Sequence, residues 1–157
     1  MFKKLLILVI LLSANSNIVY SLENKILFKI NNEIITTIDI SNEINYLQVI
    51  NHEIKTLNQN TKIEMAKNNL IKDKIKEIEL LKNISELEID DKYLKFLIKN
   101  LYLRIGLNDL EAFKKYLNNH NVKIEMIKNK FLIDNNWKRF IYAKYKNQIK
   151  IDKGEIL

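Results

Sequence analysis

Five aromatic side chains crowd into residues 93–116: Tyr93, Phe96, Tyr102, Phe113 and Tyr116. Leu94, Leu97, Ile98, Leu101 and Ile105 already supply one apolar stripe for a helix over the first part of this region. The aromatics therefore add apolar surface beyond what a single buried face needs. Such a surplus suits contact with extended, aromatic-rich chain segments, because apolar burial supplies affinity and few fixed polar groups impose a sequence. The competing use of each ring is core packing. These five residues are the candidate peptide-binding set.

Groups that could carry a reaction are sparse. His52 and His120 are far apart in the sequence, and neither has a second ligand one helical turn away, as a metal site would need. Both are expected to be structural and solvated. Past residue 21 the serines are Ser41, expected within a helix, and Ser85, expected in a loop, and no elbow glycines flank either. Asp90-Asp91 is a pair of carboxylates, but its position suits a helix N-terminus, where it satisfies free amides and the dipole. Asp39 and Glu43 share a helix face that is expected to be solvated. There is no cysteine, which excludes disulfides and thiolate sites. The sequence thus offers no catalytic residues, no metal ligands and no cofactor motif, and the expectation is a protein that is not an enzyme.

The formal charge of +7 falls by two, to +5, if Lys3 and Lys4 are removed with a leader. A basic chain can bind nucleic acid or anionic membrane. Here lysines alternate with carboxylates, as in Lys72-Asp73-Lys74-Ile75-Lys76-Glu77, and the arginines are Arg104 and Arg139 alone. That pattern fits a solvated helical surface, and no nucleic-acid partner is expected. The basic run from Lys138-Arg139 through Lys144, Lys146 and Lys150 can still attract an acidic client or lipid headgroups.

Ile26, Phe28 and Ile30 alternate with Leu27 and Lys29 as in a strand. Asn31-Asn32 suits a two-residue turn, and Glu33-Ile34-Ile35 returns. Thr36-x-x-Asp39 then caps a first helix over about Ile38–Ile50. Thr61-x-x-Glu64 predicts a cap for a second helix, roughly Lys62–Asn83. Ile89-Asp90-Asp91 starts a third that runs to about Ile105, and Gly106 ends it in a left-handed cap. Asn108-x-x-Glu111 predicts the cap of a short fourth helix carrying Leu110, Phe113 and Leu117. A long fifth helix follows, roughly Val122–Gln148. With no proline and two glycines, a large twisted sheet or a phosphate-cradling loop is hard to build. The expected fold class is mainly α: a short N-terminal β-hairpin followed by about five helices.

Met1-Phe2-Lys3-Lys4 and the apolar run Leu5–Leu12 have the form of an export signal, too short to span a bilayer. Cleavage is expected after Ser21, leaving residues 22–157 as one domain in the periplasm, with no stable membrane insertion afterwards. An uncleaved N-terminal anchor is the alternative.

The hairpin running into a capped helix, Ile26 to Leu47, resembles the start of the SurA-type periplasmic chaperones. Asn83-Ile84-Ser85 through Glu88-Ile89-Asp90-Asp91 is similar to the segment after the long helix of that family. Gly106-Leu107-Asn108-Asp109-Leu110-Glu111-Ala112-Phe113 is similar to its next short helix. Ile149-Lys150-Ile151-Asp152-Lys153-Gly154-Glu155-Ile156 resembles the junction that in longer members leads into parvulin domains. The resemblance implies a SurA N-domain-like helical bundle that holds unfolded outer-membrane protein precursors without ATP. A homodimer is a further expected partner. No parvulin-like stretch precedes Leu157, so the isomerase activity associated with the family is not expected here. Two alternatives stay open: the N-terminal fragment of a parvulin-type peptidyl-prolyl isomerase, or a non-catalytic interaction subunit.

Overall fold

The structure, a computed structural model, describes residues 24–147. The expected signal segment 1–21, the last turn of the fifth helix at Gln148 and the junction at 149–156 lie outside the described residues. Among the described residues the chain is mainly helical, a two-stranded antiparallel hairpin followed by five helices. The elements are β1 (Ile26–Ile30), β2 (Glu33–Thr36), α1 (Thr37–Ile50), a 3-10 turn (His52–Thr56), α2 (Gln59–Asn83), α3 (Asp91–Arg104), α4 (Leu110–Asn119) and α5 (Ile124–Tyr145).

Asn31 takes φ +54°, the left-handed angle that turns the hairpin, and Ile30 then pairs with Glu33. The register slips between Ile26 and Phe28, where a bulge breaks the ladder. Of the alternating residues Ile26, Phe28 and Ile30, Phe28 and Ile30 pack against the core, and Ile26 stays 65% exposed. Across the hairpin, Ile35 is the fully buried residue.

Local hydrogen bonds set the helix starts. Thr36 Oγ1 accepts from the Asp39 amide at 3.3 Å, and Asp39 Oδ2 accepts from the Thr36 amide at 2.8 Å, a reciprocal capping box. Asp90 Oδ1 accepts from the Tyr93 amide at 2.8 Å. Two expected caps move. Asn58, not Thr61, caps α2, and it does so by accepting from the Thr61 amide at 2.9 Å. Asp109, not Asn108, caps α4 through the Ala112 amide at 2.8 Å. In both places two competent caps lie within a turn of each other, and the incoming loop selects one. The 3-10 turn before α2 has no counterpart in the sequence expectation. Asn51 caps it through the Glu53 amide.

Gly106 closes α3 with φ +83°, its amide donating to Leu103 O and the Leu107 amide donating to Tyr102 O. Nothing lies within 4 Å of where a Cβ would stand. Gly106→Ala therefore meets only backbone strain, and the expected loss is about 1–2 kcal/mol. Calorimetry should show a fall in Tm of roughly 3–6 °C; an unchanged Tm would contradict the left-handed cap.

Two apolar clusters build the core. One holds Ile35, Ile40, Ile44, Leu47, Ile54 and Ala66, joining hairpin, α1 and α2. The other holds Val49, Ile98, Leu101, Phe113, Leu117, Val122 and Ile127, joining the end of α1 to α3, α4 and α5. Tyr46 and Ile50 pack against both, so α1 is the shared strut. Helices α2 and α5 also meet along a charged seam. Lys130 Nζ lies 2.8 Å from Glu43 Oε2 and 2.7 Å from Asp73 Oδ2. It also sits 4.6 Å from the centre of the Tyr46 ring. Lys76 extends the chain of charges from Asp73 to Asp134. Glu43 is fully buried, which corrects the expectation of a solvated Asp39–Glu43 face: α2 packs along α1, and the Lys130 side chain of α5 reaches Glu43. Burial pushes the Glu43 carboxyl above the usual carboxylate range, and Lys130 offsets only part of that rise. Burial also pushes the Tyr46 phenol up to about 12.

A candidate binding groove between α3, α4 and α5

Residues of α3 spaced one turn apart (Asp91, Leu94/Lys95, Ile98/Lys99 and Tyr102) form one wall of a solvent-open groove of about 680 Å³. Leu110 and Lys114 of α4 and Ile124 and Lys128 of α5 form the other walls. The floor is apolar, from Leu94, Ile98, Tyr102 and Ile124, and its size falls in the range of ligand clefts. Tyr102 stands on Phe113, ring centres 6.0 Å apart and tilted 45°. The floor is thus fixed by the core beneath it. Leu110 sits on the edge, 40% exposed.

The structure separates the five aromatics that the sequence grouped. Tyr102 alone lines this groove. Phe113 has no exposed surface and is a core residue, which corrects its assignment as a peptide contact. The short α4 is strongly one-sided, and Phe113 and Leu117 form its inward face. Tyr93 and Phe96 stack at 6.3 Å on the outer face of α3, 44% and 54% exposed, with Leu103 further along. At about 100° per residue this outer stripe lies roughly 140° around α3 from the groove. Tyr116 packs partly on the core and lies between the two histidines, 4.3 Å from the His120 ring and 6.3 Å from His52.

His120 Nδ1 is 2.8 Å from the Tyr116 carbonyl and Nε2 is 3.4 Å from Lys55 Nζ. The two ring nitrogens thus face the Tyr116 carbonyl and the Lys55 ammonium. These contacts tie α4 to the 3-10 turn. They are structural in form, because the ring nitrogens are already used. No described group of three or more histidine, aspartate or glutamate side chains could hold a metal. Among the described residues no helix is long and apolar enough to cross a membrane.

Sequence reasoning missed the four lysines of the rim. Lys95 and Lys99 are one turn apart on α3, which was a visible signal. That Lys114 and Lys128 face the same cleft depends on how the three helices pack. A second hollow, of about 570 Å³, lies where residues 87–90 cross α5, with Leu132 and Arg139 on its wall. Buried Asn136 pins this crossing by donating to the Glu88 carbonyl at 2.9 Å. Comparison with family models, with curated proteins and with solved structures finds no match to this chain.

Proposed function

We propose that the protein is an ATP-independent holdase, exported to the periplasm, that binds unfolded outer-membrane protein precursors. The observation that carries this reading is the open, apolar-floored groove between α3, α4 and α5. The exposed Tyr93–Phe96 stack adds a second apolar surface on the same helix. The motif resemblance to SurA-type N-domains supports the same reading. In the mechanism, apolar stretches of a precursor dock on these surfaces and lose contact with water. The free concentration of aggregation-prone chain then falls by mass action. Shallow, mobile apolar contacts make such binding tolerant of sequence.

The test is light scattering from a urea-diluted outer-membrane β-barrel precursor, with and without the purified protein. Dose-dependent suppression is expected, and it should be weakened at least severalfold by Tyr102→Ser with Leu110→Ser in a variant whose helical circular dichroism is retained. Phe96→Ser should weaken it through the second surface. No suppression at a several-fold molar excess of protein would overturn the holdase reading. The exposed Tyr93–Phe96–Leu103 stripe also favours a second reading, an interaction subunit that pairs with a second copy. A monodisperse monomer across the concentration range of a sedimentation experiment would contradict that one.

A further inference from the structure

We infer that the α3–α5 groove selects apolar chain segments that carry carboxylates on both flanks. This rests on the holdase reading and adds a charge rule to it. Four lysines line the groove against one carboxylate, Asp91. Asp91 lies in the first turn of α3, where its charge meets free helix amides. Lys95 and Lys99 are exposed, and no carboxylate among the described residues lies within ion-pair distance of either. Lys114 pairs with Glu111 at 2.7 Å and Lys128 with Glu125 at 3.9 Å. Both glutamates are highly exposed, so a ligand carboxylate can compete for these lysines.

The placement of the charges narrows the occupant. They come from three helices, so cations stand on more than one side of the apolar floor. A single-headed amphiphile needs one cation and an enclosed tail cavity, whereas this cleft is open to solvent. A nucleic acid would use the lysines but gain little from a floor that is aliphatic apart from Tyr102. A peptide with an apolar stripe between acidic residues matches both the floor and the rim.

The experiment is fluorescence anisotropy with three labelled peptides sharing one Leu/Phe pattern and flanked by Glu, Gln or Lys. The expected result at about 50 mM salt is binding of the Glu peptide at least about tenfold tighter than the Gln peptide, the Lys peptide weakest, with the gap narrowing in ~300 mM salt. Lys95→Glu with Lys99→Glu, at exposed positions that leave the fold intact, should erase the Glu preference. Equal affinity for all three peptides would overturn the charge rule and leave the holdase reading standing. Absence of binding by all three, together with no suppression of precursor aggregation, would overturn both. Tight binding to phosphatidylglycerol vesicles without any preference among the peptides would assign the lysines to a membrane surface and overturn the proposal.

Discussion

Lys130→Met should destabilise the protein by about 3–5 kcal/mol near pH 8, the cost of leaving a buried charge without its partner. Glu43 has no exposed surface, and Lys130 is its ion-pair partner at 2.8 Å. Neither Glu43 oxygen has a well-formed hydrogen bond in its place. The pH dependence gives the prediction its signature. Glu43 is raised above its ordinary 4.5 by burial. A raised folded-state pKa contributes stability that is fully present below 4.5 and is lost as pH rises through the folded value. Removing Lys130 raises that value further, so more of the variant's Glu43 is protonated, and less costly, at pH 5 than at pH 8. Urea unfolding should therefore show a larger loss at pH 8 than at pH 5. Adding Glu43→Gln to Lys130→Met should recover most of the loss at pH 8 and flatten the difference. A loss under about 1 kcal/mol at both pH values, the size of an exposed pair, would mean that water reaches Glu43. Lys130 itself behaves in the opposite region. Burial lowers it, but Glu43 and Asp73 together hold it above the usual lysine range. Its contribution is present at neutral pH and is lost only when pH rises through that raised value.

Phe113→Ala should cost about 3–5 kcal/mol, the range for truncating a fully buried aromatic ring. Phe113 has no exposed surface, touches Tyr102 and belongs to the cluster that joins α1 to α3, α4 and α5. A loss of that size is a large share of the total stability of an ordinary domain. Phe96→Ala, at a position 54% exposed, should change stability by no more than about 0.5 kcal/mol. The two substitutions remove the same side chain, so their comparison by urea unfolding isolates burial as the cause. Comparable losses at both positions would contradict the separation of the aromatics into core and surface. Because Phe113 supports the groove floor through Tyr102, its truncation is a test of folding and not of the groove's binding capacity.

Several elements were legible from neighbouring residues alone. Asn31-Asn32 turns the hairpin, Thr36 and Asp39 cap each other, Asp90 starts α3 and Gly106 ends it. Each depends on contacts within six residues, so the local sequence contains both partners. The caps at Asn58 and Asp109 depend on more than the local sequence. Neighbouring polar residues offered equivalent local bonds, and the path of the incoming chain made the choice.

The groove was legible only in part. An apolar surplus over residues 93–116 was visible, but α3 is apolar on more than half of its circumference. Periodicity assigns residues to faces and is silent about which face meets a neighbour. Packing put Phe113 inside, Tyr102 on the groove floor and the Tyr93–Phe96 pair outside. It likewise drew Asp73 and Lys130, from two other helices, onto the buried Glu43 of α1. By itself the sequence determined the order and type of the elements, because helix caps, turns and periodicity are short-range. Only the tertiary structure decided which charges are buried and which lysines surround a common cleft, because burial depends on partners that are distant along the chain.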